Sequence, residues 1–293
     1  MADTVGFIGL GVMGAPMARH IADHYETVVF DTNAARMPLV PKAKAAKNVA
    51  EVGRQATTVL LSLPGSEVVR EVTLGPGGLA DSMTRGSTII DASTTAPNVS
   101  QEIAAALERR GIAFLDAPVS GGEKAAIEGT LSIMVGGREE VFEDALPVLR
   151  TLGTSVVRVG GSGMGGVAKL VNNMIVGITF AAVAEGFALG TRCGLEPKVL
   201  YEAIRGGWAG SRVLEVSVPA MLARDFRPGG TVDIHWKDLG YALALARDND
   251  VPVPVTALTH EVFKAARASG RGQLSQPAII NLWEELLKIE VKE

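Results

Sequence analysis

The amino-acid sequence predicts an α/β protein: a doubly wound, mostly parallel sheet in the N-terminal part, joined by one long helix to an all-helical C-terminal part. Short runs rich in β-branched residues recur along the first half of the chain, and stretches with helical spacing separate most of them. Several runs are apolar throughout, which is typical of strands that helices cover on both faces. After about Gly161 the strand pattern stops, and the remaining sequence is rich in Ala, Leu and Val with helical spacing.

The predicted elements alternate along the first half of the chain and are helices thereafter. Strands are predicted at residues 4–9, 27–31, 57–64, 87–92, 112–116, 130–135 and 155–159. Helices are predicted between most of them, at residues 16–24, 67–74, 97–110 and 139–149. In the second half, helices are predicted at residues 166–193, 196–204, 239–248, 255–268 and 277–290. Because the glycine-rich residues 160–163 mark the change, we predict two domains, 1–162 and 163–293.

The helix predicted from Gly166 is unusually long, with about seven turns at 3.6 residues per turn. Small residues lie three or four positions apart along it, so that one face allows close packing. These residues are Gly177, Ala181, Ala184 and Ala188. A helix that leaves one domain and enters the core of the other would line a cleft between them, and ligands usually bind in such clefts.

Composition excludes several classes of protein. The 293 residues suffice for one large domain or two ordinary ones, and 47% of them are hydrophobic, too many for a disordered chain. The net charge of −4 argues against nucleic acid as the main partner, because phosphate binding needs a basic face. Cys193 is the single cysteine, which excludes an intrachain disulfide and a cysteine-rich zinc site.

The sequence also argues against membrane association and metal binding. Residues 1–9 run directly into a strand-like segment, so we predict no signal peptide. The best candidate span, residues 170–184, is shorter than the ~20 residues a span needs and contains two asparagines, which favours a buried helix. We therefore expect a cytoplasmic protein. His20 and His24 are spaced i,i+4 and could in principle hold zinc, but a solvated helix face is favoured because no third ligand is near.

A glycine-rich turn follows the first predicted strand and opens the first predicted helix. Its G-x-G-x-x-G pattern is Gly9-Leu10-Gly11-Val12-Met13-Gly14. In such a turn the first glycine permits a tight bend, the second lets backbone approach a pyrophosphate, and the third allows close helix–strand contact. The amides at the helix N-terminus then face the phosphates. The turn predicts a Rossmann-type dinucleotide-binding domain.

Asp31 ends the next predicted strand, about twenty residues further on, where an acidic side chain would bind the adenosine ribose hydroxyls. Its charge would repel a 2′-phosphate, so we predict NAD in preference to NADP, although Arg36 lies close enough to leave NADP open. The alternative is a glycine-rich turn with an unrelated surface aspartate.

Three further turns follow predicted strands. The carboxyl ends of parallel strands surround the ligand crevice in this architecture, which makes Leu63, Pro64 and Thr95 candidate cofactor contacts. Thr95 could also be an ordinary helix cap, a role that is compatible with cofactor contact. In the third turn, the backbone amides of Ser120, Gly121 and Gly122 could form a pocket for a carboxylate, or simply join a strand to a helix.

Lys169 and Asn173 are the strongest catalytic candidates. They are spaced i,i+4 and therefore share one helical face, and residues 170–184 carry no charge. Desolvation should lower the pKa of a lysine on such a helix, and a nicotinamide cation nearby would lower it further. Such a lysine can exchange a proton with a substrate oxygen, and Asn173 could position the same hydroxyl. The alternative is a snorkelling lysine beside an asparagine that packs between helices.

These motifs together resemble the β-hydroxyacid dehydrogenases, a family that includes 3-hydroxyisobutyrate dehydrogenase and tartronate semialdehyde reductase (2-hydroxy-3-oxopropionate reductase). Residues 7–18 are similar to the family's N-terminal signature, and residues 116–122 to its substrate-binding motif. The catalytic motif is matched by Gly163-x-Gly165-x-x-x-Lys169-x-x-x-Asn173, and the C-terminal cofactor-side motif by Lys237-Asp238-Leu239. The four motifs span residues 5 to 239 in the family's order.

The resemblance implies a metal-independent hydride transfer between NAD(P) and a small β-hydroxy acid or its semialdehyde. It implies Lys169 as the general acid/base and Thr95 and Lys237 as cofactor contacts. It also implies substrate contacts at Ser120, Gly121, Gly122 and Asn173. The family's dimers and tetramers imply a homo-oligomer, which the apolar helical second half also favours.

Other functions on the same scaffold are less well matched. A nucleotide-dependent binding or sensing protein could keep the fold without turnover, but it would not need the Lys169–Asn173 pair. Imine reduction is disfavoured because enzymes of that kind generally lack this lysine. 6-Phosphogluconate dehydrogenase is similar in motif but needs a larger helical domain.

The substrate is less well determined. Residues 206–214 and 232–239 resemble the tartronate semialdehyde reductase side of the family, which favours small polar hydroxy acids over the branched apolar one. Ser211 or Arg212 could meet a second polar group of the substrate, or Arg212 could be a surface charge. Trp208 and Trp236 could line the pocket or pack elsewhere.

Overall fold

The computed structural model describes residues 4–293, and the contacts along the chain divide it into a first unit that ends at Lys169 and a second unit that begins at Leu170. The predicted domain boundary between residues 162 and 163 stays a prediction. The predicted absence of a signal peptide concerns residues 1–9, of which residues 1–3 lie outside the described part.

The first unit is built on one nine-stranded sheet. Its strands are β1 (Val5–Ile8), β2 (Thr27–Phe30), β3 (Lys44–Ala45), β4 (Thr58–Leu61), β5 (Thr88–Asp91), β6 (Ala113–Asp116), β7 (Val119–Ser120), β8 (Ser132–Gly136) and β9 (Ser155–Gly160). Their order is β3-β2-β1-β4-β5-β6-β8-β7, and β9 pairs with β8. All pairs are parallel except β6–β8 and β7–β8. The strand order reverses between β1 and β4, which is where doubly wound sheets bind ligands at their carboxyl ends. The predicted sheet is confirmed.

Helices cover both faces of this sheet. They are α1 (Gly14–Ala22), α2 (Val49–Gln55), α3 (Ser66–Leu74), α4 (Leu79–Ser82), α5 (Pro97–Glu108), α6 (Gly122–Glu128) and α7 (Glu139–Leu149). Because successive strand residues point to opposite faces, Phe7 packs into the core shared with α1 and α7, whereas Ile8 packs into the core shared with α2, α3 and α5. The sheet is therefore buried on both sides, as its continuous apolar runs predict.

Helices alone make up the second unit within the described residues. They are the greater part of α8 (Met164–Arg192), α9 (Pro197–Ile204), α10 (Arg212–Leu222), α11 (Val232–Asp248), α12 (Pro254–Ala266) and α13 (Ile280–Leu287). Phe187, Val218, Leu239 and Phe263 form part of their shared core. The helix α8 begins in the first unit and continues into the second, so the predicted long helix and helical C-terminal part are confirmed.

Some element predictions were incomplete. No prediction covered α2, α4, α10 or the two-residue strands β3 and β7. The helix α11 begins seven residues before the predicted start at 239, because the Thr231 hydroxyl accepts a hydrogen bond from the Ile234 amide at 3.2 Å and caps it there. The last predicted helix is shorter: a 3-10 turn, Gln276–Ile279, precedes α13, and Lys288 ends α13 in the left-handed region with φ of 56°.

By length and composition, α8 could cross a membrane. One such helix is weak evidence for a span, since the core helix of a soluble protein passes the same test. Ala184, Phe187 and Ala188 of α8 are buried in the helical core of the second unit. Cys193, just after α8, is exposed with a free thiol.

Candidate active site

The glycine-rich turn after β1 has the geometry that its pattern predicts. Gly9 has φ of +94°, and a side chain there would lie 2.2 Å from the Ser62 carbonyl oxygen. A Cβ on Gly14 would lie 1.8 Å from the Gly9 carbonyl oxygen, so α1 can start this close to β1 only with glycine. Around Gly11, in contrast, there is open space, and α1 starts without a side-chain cap. An open backbone beside an uncapped helix N-terminus fits a dinucleotide pyrophosphate.

Asp31 follows β2 and is buried next to the glycine-rich turn. Its Oδ2 accepts a hydrogen bond from the Leu10 amide at 2.7 Å, and its Oδ1 accepts one from the Asn33 amide at 2.7 Å. Arg36 lies 3.6 Å from the same carboxylate. Asp31 therefore ties the glycine turn to the end of β2. Sequence reasoning assigned it a ribose contact only and missed this second role.

The turns after β4 and β5 are tied to each other. The Leu63 amide donates to the Ser93 hydroxyl at 2.8 Å, and the Thr95 hydroxyl donates to Asp91 Oδ2 at 2.7 Å. The alternative reading of Thr95 as a helix cap is wrong, because Ala96 is the cap residue of α5 and the Thr95 hydroxyl is committed to Asp91. The predicted cofactor contacts Leu63 and Thr95 thus lie on one connected edge of the sheet.

Asp91 is a buried carboxylate that sequence reasoning did not single out. It ends β5, is fully buried and also accepts the Ser93 amide at 3.0 Å. Burial raises the pKa of Asp91 to about 6; the hydrogen bonds from Ser93 and Thr95 oppose the rise, and the charge of Asp116 adds to it. Asp116 is its register partner on the neighbouring strand β6. Two buried carboxylates therefore lie side by side at the carboxyl edge of the sheet.

The predicted substrate turn lies beyond β6. Ser120 ends β7 and is half-buried, while Gly121 and Gly122 are exposed at the start of α6. Their φ angles are +135° and +70°, which favour glycine. A Cβ on Gly121 would lie 2.5 Å from the Ala125 Cβ, whereas Gly122 has open space around it. The turn therefore presents backbone on an open surface.

Lys169 lies in the second turn of α8 and is half-buried. The start of α8 is bound to β6, because the Asp116 carboxylate accepts hydrogen bonds from the Gly163 amide at 2.7 Å and the Gly166 amide at 2.9 Å. Burial raises the pKa of Asp116, and these hydrogen bonds oppose the rise. The sequence placed Asp116 in a motif but assigned it no role.

Asn173, one turn beyond Lys169 on α8, is buried in a polar network of the second unit. Its Nδ2 donates to Asp238 Oδ2 at 2.7 Å, and its Oδ1 accepts from Asn172 at 2.9 Å. His235 Nε2 lies 3.1 Å from the Asn173 carbonyl oxygen. Lys237 Nζ lies 3.2 Å from Asp238 Oδ1. Asp238, buried on α11, thus fixes the orientation of the Asn173 amide, a role that its place next to Lys237 in a motif did not reveal.

The residues considered for substrate choice take other positions. The Ser211 hydroxyl caps α10 by accepting the Leu214 amide at 3.0 Å, and Arg212 is exposed and paired with Glu215 at 3.1 Å. Trp208 is fully exposed. Trp236 stacks on His260 with ring centres 5.4 Å apart, and the Arg267 guanidinium lies 3.8 Å above its ring.

Residues 4–293 contain no group of three or more His, Cys, Asp or Glu side chains arranged to hold a metal ion. His20 Nε2 contacts the Ile127 carbonyl oxygen at 3.0 Å, and His24 Nδ1 contacts the His20 carbonyl oxygen at 2.8 Å. Both imidazoles thus have backbone partners on the surface around α1.

Two family descriptions match consecutive parts of the chain. The NAD binding domain of 6-phosphogluconate dehydrogenase matches residues 4–161, and the NAD-binding domain of NADP-dependent 3-hydroxyisobutyrate dehydrogenase matches residues 163–283. The first match lies within the first unit, and the second match covers most of the second unit.

Curated relatives match along nearly the whole chain. The 2-(hydroxymethyl)glutarate dehydrogenase of Eubacterium barkeri is 38% identical over 98% of this chain and 97% of its own length. The 2-hydroxy-3-oxopropionate reductase of Escherichia coli is 37% identical over 96% of this chain and 97% of its own. The mitochondrial 3-hydroxyisobutyrate dehydrogenase of Mus musculus is 36% identical over 91% of this chain and 82% of its own.

Solved structures share the fold. The 3-hydroxyisobutyrate dehydrogenase of Salmonella typhimurium aligns with a TM-score of 0.87 at 30% identity, covering 96% of this chain and 99% of that one. A protein solved with NADP+ has the same TM-score at 26% identity, covering 95% and 99%. An imine reductase from Pseudomonas sp. has a TM-score of 0.59 at 19% identity over 96% of this chain and 99% of that one, which shows the fold alone. The chain belongs to the β-hydroxyacid dehydrogenases, NAD(P)-dependent oxidoreductases that act on CH–OH groups.

Proposed function

We propose that this enzyme transfers a hydride between NAD(P) and the hydroxyl-bearing carbon of a small β-hydroxy acid, or its semialdehyde in reverse, with Lys169 as the general acid/base. The observation that carries the proposal is the placement of Lys169. It lies one turn after the point where Asp116, at the end of β6, binds the start of α8. The loop that follows Asp116 carries Ser120 and the two exposed glycines.

The residues divide the work by position. The glycine turn from Gly9 to Gly14, with Asp31, Leu63, Pro64 and Thr95, holds the dinucleotide, and Lys237 is the further cofactor contact that the family resemblance implies. When bound, the nicotinamide supplies the hydride chemistry. Ser120, Gly121, Gly122 and Asn173 bind and orient the substrate. The Lys169 amine takes the hydroxyl proton during oxidation and returns it to the carbonyl oxygen during reduction.

We infer a small, polar acid as substrate. The relatives are named for small hydroxy or oxo acids, both polar and branched apolar: 2-(hydroxymethyl)glutarate, 2-hydroxy-3-oxopropionate and 3-hydroxyisobutyrate. Between the last two, the resemblance of residues 206–214 and 232–239 favours the polar semialdehyde. NAD is the preferred cofactor, because the Asp31 carboxylate would repel a 2′-phosphate.

The same reasoning extends to the oligomeric state, the location, the partners and the domain boundary of the enzyme. The second unit exposes several large apolar side chains, including Ile175, Leu189, Leu258 and Leu286, which supports a homo-oligomer. The enzyme is cytoplasmic and binds neither nucleic acid nor membrane. We infer that the functional domains divide between residues 162 and 163; the family matches to residues 4–161 and 163–283 support this division.

Replacing Lys169 with alanine tests the proposal. Turnover should fall by at least ~100-fold, the range that general acid/base catalysis supplies, while NADH binding is retained. Lys264→Ala is the matched control, since Lys264 is an exposed lysine paired with Glu261 on α12. Absorbance of reduced nicotinamide is followed with a panel of small hydroxy acids and both cofactors. Turnover of Lys169→Ala equal to that of Lys264→Ala would defeat the assignment.

A further inference from the structure

We propose that Asp116 is a positioning residue for the reaction: its carboxylate anchors the N-terminus of α8 to the end of β6 and thereby places the Lys169 amine. The inference rests on the proposed role of Lys169. It assigns a function to a buried carboxylate that hydrogen-bonds the Gly163 and Gly166 amides.

The hydrogen bonds are the first observation. The first amides of a helix have no partner within the helix, and a nearby side chain usually caps them. In α8 the cap comes from a different element, since Asp116 precedes Gly163 by 47 residues and Gly166 by 50. One carboxylate oxygen binds each amide, at 2.7 and 2.9 Å. A negative charge at a helix N-terminus is also favoured by the helix dipole.

The packing around these bonds is a second, independent observation. A Cβ on Gly165 would lie 2.4 Å from the carbonyl oxygens of both Asp116 and Met134. A Cβ on Gly136, the partner of Asp116 on β8, would lie 2.5 Å from Asp116 Oδ1. The start of α8 therefore lies directly on the backbone of β6 and β8, with no room for side chains. This contact explains why the catalytic motif needs glycine four residues before its lysine.

The consequence for Lys169 follows from helix geometry. Lys169 is three residues after Gly166, so a shift or rotation of the helix start reaches it within one turn. The same aspartate begins the segment that carries Ser120 four residues later, so the lysine and the substrate turn have a common anchor. Proton transfer needs heavy atoms within ~2.6–3.2 Å, and a misplacement of ~1 Å can cost ~100-fold in rate.

Asp116→Asn is the direct test. The asparagine side chain keeps the shape of aspartate but removes its charge. Its NH2 group faces one of the two backbone N–H donors, Gly163 or Gly166, and cannot accept that hydrogen bond. We expect kcat to fall between ~10- and ~100-fold, with KM for the hydroxy acid within about threefold of wild type and NADH affinity unchanged. Asn48→Ala is the control for the effect of losing a helix cap, because the Asn48 side chain caps α2 by accepting the Glu51 amide at 2.9 Å. That variant should lose stability and keep kcat.

A double-mutant cycle separates positioning through Lys169 from an independent effect. If Asp116 acts through Lys169, then Asp116→Asn will not slow the Lys169→Ala enzyme further. Rates are expressed per NADH-binding site, so partial unfolding does not enter. Gly165→Ala supplies a second route if Asp116→Asn does not fold, since it displaces the helix start and keeps the carboxylate, and it should lower kcat in the same way.

The outcomes are distinguishable. Normal turnover of Lys169→Ala overturns the proposed function itself. If Lys169→Ala is impaired, the inference is overturned by a normal kcat in Asp116→Asn or by a rise in KM alone. It is also overturned if Asp116→Asn lowers kcat by the same factor in the wild-type and the Lys169→Ala enzymes. A kcat loss confined to enzymes that retain Lys169 supports it.

Discussion

The buried carboxylate of Asp91 makes a prediction about stability that needs no substrate. Burial raises its pKa from the ordinary value of 3.8 to about 6. The native state therefore holds the Asp91 proton more tightly than the unfolded chain does. The stabilisation that this gives is fully present below pH 3.8 and is lost as the pH rises through about 6. At about 1.4 kcal/mol per pKa unit, the ionised carboxylate costs the native state roughly 3 kcal/mol at neutral pH.

Asp91→Asn removes this cost and can keep both hydrogen bonds. Its carbonyl oxygen can accept the Ser93 amide, and its NH2 group can donate to the Thr95 hydroxyl once that hydroxyl rotates. We expect the variant to be more stable than wild type by about 1–3 kcal/mol at pH 7.5, and the difference to vanish near pH 4. The free energy of unfolding is measured from urea titrations followed by circular dichroism at both pH values.

The control for this measurement is a carboxylate with the opposite behaviour. Arg227 lowers the pKa of the half-buried Asp225 to about 2, so Asp225→Asn should not stabilise the protein at pH 7.5. Our reasoning would be refuted if Asp91→Asn were less stable than wild type at pH 7.5, or if its difference from wild type did not depend on pH.

Three further predictions follow from individual contacts. Gly14→Ala should destabilise the protein and abolish NADH binding, because there is no room for a Cβ at this position. Gly11→Ala should keep the wild-type melting temperature and only weaken NADH binding. Equal melting temperatures of the two variants would contradict this. Arg36→Ala should lower kcat/KM with NADP at least tenfold more than with NAD, because Arg36 lies 3.6 Å from Asp31, the proposed ribose contact; an unchanged ratio would remove Arg36 from cofactor choice. Asp238→Ala should lower the free energy of unfolding by about 1–3 kcal/mol in urea titrations, because it leaves the buried Asn173 amide unpaired, and no loss would show that the amide finds another partner.

Much of the fold could be predicted from local sequence patterns. In the sheet, the β propensity of each strand agrees with its burial between two layers of helices. The strands β1, β4 and β5 consist mostly of apolar, buried residues and are covered on both faces. The glycine turn was equally predictable, because tight backbone contacts at Gly9 and Gly14 admit no other residue.

Elements that depend on tertiary context were missed. The helix α10 is rich in valine and contains Pro219, both unfavourable for a helix, and burial of Leu214, Val218 and Met221 stabilises it. The strands β3 and β7 have two residues each, too few for a periodic pattern.

Site residues that act through distant partners were missed for a related reason. Asp116 binds amides some fifty positions away, and Asp238 binds Asn173 across 65 residues. No spacing in the sequence encodes such pairs. Lys169 and Asn173, in contrast, share a helical face and could be paired from their spacing alone.

The central claim is that the Lys169 amine carries the proton, and chemical rescue tests it most directly. Hydride transfer by Lys169→Ala is measured in single turnovers by absorbance of reduced nicotinamide, with and without added ethylamine. The account predicts a slow reaction that accelerates with the concentration of free-base amine, while Lys264→Ala is fast and indifferent to it. A wild-type rate in Lys169→Ala without any added amine would contradict the account.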